Sequence, residues 1–288
     1  MNKYHIFVIA LTLVFLLSGC SKKEGSISHR EKIQTVTADE HHYQDDQLYY
    51  SLEEYVEEAW NWDGNELYRI DYQGQYSYSE NFFYDRKNRL KRTTVPAYGI
   101  RREFFYSGKE LDHIDTYKDM RLVGRMSFTH TDGVLTEIAV DRWLTDDADS
   151  LVDFIMSKSL GAWCSKSASC RYQLQWNEND VVRIDCQGAD TTYSISLTYD
   201  KKNNPYHQLF GYQELNDPIF GFEMLSQHNV ETIHMPFGKI KDQLFSFQYK
   251  YDGNYPAERT LTYKYNTVSN TFDSVEYKVV KKEKYTYK

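Results

Sequence analysis

The side chains equipped for chemistry in this sequence are three cysteines, a few histidines and a recurring aspartate. Cys170 and Cys186 flank Trp176 to Val181 at nearly equal distances, which places them to bridge neighbouring strands and leaves Cys164 odd. The rival pair is Cys164 with Cys170 across a short loop. None of the three has a histidine in its local sequence to act as the base a nucleophile needs. His41-His42 beside Asp45-Asp46 sits in a polar stretch and reads as solvated linker, and His228 and His234 read as hydrogen-bonding loop residues. Asp146, Asp147 and Asp149 read as a helix cap and solvated loop. Asp85, in "FFYDRKNRLKR", has only basic and amide neighbours in its turn, whereas a calcium loop needs several converging carboxylates. Gly108-Lys109 lacks the rest of a phosphate loop, and there is neither a Gly-x-Ser-x-Gly elbow nor a His-Glu-x-x-His pair. The expectation is a protein without catalytic residues, metal or cofactor, and not an enzyme.

Asp85 is better explained by its recurrence. Its turn is one of a set: Trp62 to Leu67, Tyr84 to Leu90, Tyr106 to Leu111, Thr131 to Leu135, Trp176 to Val181, Tyr199 to Pro205 and Tyr251 to Pro256. Each has an aromatic residue or Thr, a short polar turn, then an apolar residue. Asp and Asn bond to their own local backbone, and Gly and Asn tolerate positive φ, so these are hairpin turns. The flanks alternate with period two: Phe245, Phe247, Tyr249 and Tyr251 share one face, and Arg259, Leu261, Tyr263 and Tyr265 share another. The elements that carry the turns are therefore half-buried antiparallel strands. The predicted fold is all-β, a large up-and-down meander of Tyr-rich hairpins forming a curled sheet or incomplete barrel. Helical spacing of Leu52, Tyr55, Val56, Ala59 and Trp60 after Ser51 predicts a short helix ending by Glu58. Asp149 to Leu160 predicts a second, dividing the domain into halves. Residues 205–238 are apolar without alternation and are expected to pack across the sheet.

Composition agrees. Tyr numbers 26, with 15 Phe and 5 Trp, a β-favouring set. The net charge is −8, which argues against nucleic-acid partners. The first residues, MNKYHIFVIALTLVFLLSGC, combine Lys3 with an apolar run too short to span a bilayer comfortably, ending in small residues. Leu17-Ser18-Gly19-Cys20 resembles the lipobox of bacterial lipoproteins. That resemblance implies cleavage before Cys20 and acylation of its sulfur and of the new N-terminus. It implies a palmitate-type lipid anchor in the bilayer without a transmembrane helix. Ser21 is what outer-membrane sorting favours in that family, and periplasmic or surface orientation stays open. The expected organisation is a signal peptide over 1–19, a flexible tether over 20–46 and a single repetitive β domain over 47–288.

The Tyr-Asp turns resemble the YD repeats of large bacterial shell-forming proteins. Tyr199 to Tyr206 and Tyr249 to Pro256 resemble a lipoprotein domain of unknown function described as having a porin-like β fold. That family implies fold and envelope location and supplies no catalytic residue. Against a transmembrane barrel stand the Tyr-rich apolar face and a mean hydropathy of −0.70, which favour a water-soluble sheet with its aromatic face inward. The function expected first is a non-enzymatic envelope lipoprotein that binds a glycan or an envelope protein. The alternatives are a carrier of a hydrophobic ligand inside the curled sheet and a purely structural envelope role.

Overall fold

A computed structural model describes residues 32–73, 77–143, 169–188, 192–207, 221–237, 240–268 and 274–288. The strands in chain order are β1 Ile33–Gln44, β2 Gln47–Asp63, β3 Glu66–Tyr72, β4 Tyr78–Tyr84, β5 Leu90–Val95, β6 Ile100–Ser107, β7 Glu110–Lys118 and β8 Arg121–Thr131. They continue as β9 Val134–Arg142, β10 Cys170–Asn177, β11 Asp180–Gln187, β12 Thr192–Asn203, β13 His228–Phe237, β14 Ile240–Asp252, β15 Tyr255–Val268 and β16 Ser274–Tyr287. Every strand pairs antiparallel with its sequence neighbour, and β1 pairs with β16, from Ile33 opposite Tyr287 to Gln44 opposite Tyr277. The meander is thus a closed barrel of sixteen strands, not a curled or incomplete one.

Closure corrects the expected tether. Residues 33–44 form the strand that joins β16 to β2, so a linker could extend only to residue 31 or so. The strand was hidden because only Ile33, Val36 and Ala38 of it are buried. The helix expected after Ser51 is part of β2; there Glu58 and Trp60 point inward at the period of a strand, and the helical spacing was coincidental. The helix expected at 149–160 lies outside the described residues. Residues 205–238 contain β13 and a short 3₁₀ turn, Gly221–Leu225, and Tyr206, Phe222 and Met224 from this stretch are buried in the core.

Six of the seven predicted turns close hairpins at one end of the barrel. Each carries the same bulge: Trp62 pairs with Leu67 but Asn61 with Arg69, and Tyr84 with Leu90 but Phe83 with Arg92. An extra residue at that place increases the local twist and helps the sheet coil. Gly64, at φ 52°, and Gly253, at φ 66°, occupy left-handed positions in these turns. Asp85 serves its turn as expected: Oδ1 accepts from Lys87 N at 2.7 Å and Arg89 N at 3.0 Å, and Oδ2 accepts from Arg89 Nε at 2.9 Å. These bonds hold its carboxyl below the usual range. At the seventh site Asp200 accepts from Lys202 N at 2.8 Å in the same way, but the chain turns inward at Asn204 before β13 begins.

Aromatic residues at this end of the barrel, most of them just before a turn, have a second duty. Trp62, Tyr84, Tyr106, Trp176, Tyr199, Tyr249 and Tyr287 each donate to a carbonyl at the start of the adjacent strand, namely Ile33, Leu67, Leu90, Leu135, Val181, Val230 and Pro256, at 2.5–2.8 Å. Where the ladder runs out, the side chain satisfies a carbonyl that would otherwise be half-buried and unpaired. This explains Tyr and Trp over Phe at those positions.

The inward face of the barrel forms one apolar cluster, including Trp60, Ile70, Phe82, Phe104, Ile138, Tyr172, Ile184, Ile233 and Phe245. An open sixteen-strand pipe would be wide enough to hold water; these residues are buried to within a few per cent, so the lumen around them is packed. The outward face carries Arg69, Arg92, Arg101, Arg125, Arg171 and Arg183 along the strands. Each such charge, left unpaired at a bilayer midplane, would cost about 2–4 kcal/mol.

The barrel also repeats itself by halves. WDGNELYRIDYQ (62–73) matches WNENDVVRIDCQ (176–187), and β3 and β11 stand eight strands apart in the ring. Their surface networks coincide. Ser79 Oγ bonds Asp71 at 2.6 Å beside Arg69 Nε at 2.7 Å; Ser194 Oγ bonds Asp185 at 2.6 Å beside Arg183 Nε at 2.9 Å.

Candidate functional site

Cys20 lies outside the described residues. Cys170 is disulfide-bonded, and its partner is also outside them; Cys186 is a free, buried thiol. The expected Cys170–Cys186 bridge therefore does not form. In the hairpin Cys186 stands opposite Tyr172, two residues from Cys170, and burial pushes its thiol up to about 12. His228 Nδ1 lies 2.7 Å from Asp180 Oδ2 and its backbone N donates to Asp180 Oδ1 at 3.0 Å, a structural tie between β13 and the β10–β11 turn. His41 and His42, read as solvated linker, sit on β1, where His42 Nε2 contacts Glu40 at 2.5 Å.

Two groupings stand out that the sequence reading missed. The first is a buried ionic cluster inside the barrel. Arg259 Nη1 donates to both carboxylate oxygens of Glu223 at 3.0 Å, and Nε contacts Glu283. Tyr285 donates to Glu283 at 2.8 Å, and Lys281 approaches the other oxygen at 3.1 Å. Glu58 lies close by and accepts from Trp60 Nε1 at 2.9 Å. Burial, helped by Glu57, pushes the Glu58 carboxyl up to about 8. Glu283 is held well below the usual carboxylate range: Arg259 and Lys281 outweigh the burial that opposes them. Burial raises Glu223 even though Arg259 opposes it. The space among Asn204, Tyr206, Glu223, Tyr249, Arg259 and Tyr285 has no room for a water molecule. The cluster therefore ties the inserted 3₁₀ turn to the wall, and within the described residues it offers no chamber for a hydrophobic ligand.

The second grouping is at the other end. β2 pairs with β3 only from Glu58 onward, and β15 with β14 only up to Tyr263, so among the described residues β15, β16, β1 and β2 continue alone as a four-stranded tongue. Near its tip Leu48, Tyr49 and Tyr50 are 55%, 51% and 46% exposed. His42 pairs with Tyr50 but Tyr43 with Leu48, and this bulge brings Tyr49 and Tyr50 to the same imidazole, at 6.0 and 5.3 Å between ring centres. Tyr277 meets Tyr49 at 5.7 Å. The result is an aromatic platform in water, with the outer edge of β2 beside it.

No family model matches the chain. No curated protein matches it either. Among solved structures it is similar to a porin-like protein from Bacteroides uniformis ATCC 8492, at 11% identity over 89% of this chain and 98% of that one, with a TM-score of 0.33.

Proposed function

We propose that this protein is a lipid-anchored envelope protein that binds glycans on the platform of Tyr49, Tyr50, His42 and Tyr277, without catalysing a reaction. The platform carries the reading. Exposed, mutually braced rings present flat faces on which sugar rings stack, and a hydroxyl at the edge of each tyrosine can meet sugar hydroxyls. Position supports it too. The described chain begins at the hairpin-turn end, where Lys32 Nζ bonds Asn65 Oδ1 at 2.8 Å, while the tongue leaves the opposite end. Residues 20–31, fully extended, reach about 40 Å, so an anchor at Cys20 holds the turn end toward the bilayer and the tongue away from it.

A glycan array probed with the mature protein is expected to give a subset of retained sugars, and Tyr49→Ala with Tyr50→Ala to lower their affinity about tenfold or more. Both side chains are half-exposed, so melting temperature should hardly change. Retention unaffected by the double variant would overturn the platform as the site. The edge of β2 before Glu58, which no described strand pairs, favours a second reading, an envelope protein that adds a strand there; a crosslink from position 51 to one partner, with no glycan retained, would favour it.

The anchor has its own test. Cys20→Ala is expected to abolish acylation and move the protein from the membrane to the soluble fraction, or leave it uncleaved. Palmitate incorporated equally into both forms would show that Cys20 is not the acylated residue.

A further inference from the structure

Five outward arginines of the wall each face a carboxylate. Arg69 faces Asp71, Arg101 faces Glu103, Arg125 faces Asp115, Arg171 faces Glu137 and Arg183 faces Asp185, at 2.6–3.4 Å. Arg92 has no such partner among the described residues. Its cross-strand neighbours are Phe83 on one side and Glu103 on the other, and Glu103 turns to Arg101. Arg92 instead lies flat on Phe83, 4.2 Å above the ring centre, and Arg101 lies on Tyr117 at 4.4 Å. The Nε of Arg92 is buried without a hydrogen bond, and that of Arg101 has only the 3.4 Å approach of Glu103. Stacking on the rings, rather than a full set of protein acceptors, fixes these two guanidinium groups.

The pairing of Arg92 with Glu103 and of Thr94 with Arg101 makes the two arginines diagonal neighbours on the outer face. Beside them Phe83 is 40% exposed and Phe105 38% exposed, the latter braced by His113 stacked at 4.3 Å. The surrounding segment, residues 85–125, holds eleven Lys and Arg against six Asp and Glu, in a chain whose net charge is −8. Arg102 of that count is buried against Glu80, and the remainder still leaves a positive, ring-bearing patch on a negative protein. A guanidinium held flat presents its N–H edges outward in the fork that matches a carboxylate. The parts of the two phenyl rings that Arg92 and His113 leave exposed suit the apolar face of a sugar ring.

We propose that Phe83, Arg92, Arg101 and Phe105 form a binding site for an acidic polysaccharide, a chain of sugar rings bearing carboxylates. The site lies on the barrel wall and is independent of the tongue platform, so each can fail without the other. The experiment is affinity electrophoresis of the full mature chain through polygalacturonate, dextran sulfate or neutral dextran, with inorganic phosphate as competitor. Polygalacturonate is expected to retard the wild type, and neutral dextran to act only through the tongue if at all. Arg92→Gln should weaken polygalacturonate binding about tenfold, the size of one charge-assisted pair. Glu103→Gln, which frees Arg101, should strengthen it several-fold, a gain that no unfolding can imitate. Tyr49→Ala with Tyr50→Ala should leave it unchanged. No retardation at low salt, or equal retardation of wild type and Arg92→Gln, overturns the proposal. So does binding of dextran sulfate and polygalacturonate alike that is insensitive to Phe83→Ala and Phe105→Ala, because that outcome reduces the patch to diffuse charge attraction.

Discussion

Arg259→Met is expected to destabilise the barrel by about 3–5 kcal/mol, the usual result of removing one partner from a buried ionic cluster. Arg259 is 8% exposed, and it holds Glu223 and Glu283, which are 5% and 4% exposed. Methionine fills much of the same volume, so the loss comes from two carboxylates left in an apolar interior with Lys281 as the nearest remaining cation. Glu223 belongs to the inserted 3₁₀ turn, so the variant should also release residues 221–227 from the wall. Urea unfolding measures the first effect and limited proteolysis after residue 207 the second. Adding Glu223→Gln and Glu283→Gln to Arg259→Met should recover most of the stability, because a buried cluster replaced as a whole costs little. A single variant within about 1 kcal/mol of wild type would mean that water reaches these carboxylates.

This cluster also shows how far the sequence could be read. Period two along 259–265 puts Arg259 in the same register as Leu261 and Tyr263, so a charge in the inward register was visible from the start. What was not visible is its partners, since Glu283 faces it through the register of β15 against β16 and Glu223 comes from the inserted 3₁₀ turn. The turns were legible because their chemistry is local: Asp85 bonds Lys87 and Arg89 within its own loop. The closing strand was not, because β1 buries few residues and half of it lies in the tongue, where neither face is covered. The Cys170–Cys186 pairing failed because nearly equal distances from the turn do not fix register: an unbulged hairpin already puts Arg171 opposite Cys186, and the bulge moves the pairing one residue further, to Tyr172. The tyrosines were legible as β-formers, but their bonds to carbonyls of adjacent strands depend on register, which composition does not contain. The aromatic platform was missed because its residues are far apart in the chain: His42 fell in the expected tether, Tyr49 and Tyr50 just before the expected helix, and Tyr277 near the C-terminus.

Stability should fall as pH rises from about 5 to about 8, and Glu58→Gln should remove that fall. Glu58 is buried beside Glu57 and Glu283, with its carboxyl pushed up to about 8. In the unfolded chain a glutamate titrates near 4.3. Between these values the folded state keeps a proton that the unfolded state has released, so each step up in pH favours unfolding. The stabilisation is full below the unfolded pKa and is lost as pH rises through the folded one. At about 1.4 kcal/mol per pH unit the limit is about 4–5 kcal/mol. Glu283 works in the opposite sense. Its lowered pKa adds stability at neutral pH that is lost on acidification below the unfolded value, so wild type should be most stable in the weakly acid range. Glutamine at 58 keeps an oxygen for the Trp60 indole N–H and cannot ionise. The variant should therefore match wild type near pH 5 and exceed it by several kcal/mol at pH 8.5, while keeping the acid limb that belongs to Glu283. Urea unfolding at these two pH values, with Trp fluorescence as the probe, measures the difference. An equal decline in both proteins would show that Glu58 is already ionised in the folded barrel and that Arg259 or Lys281 serves it as well as Glu283.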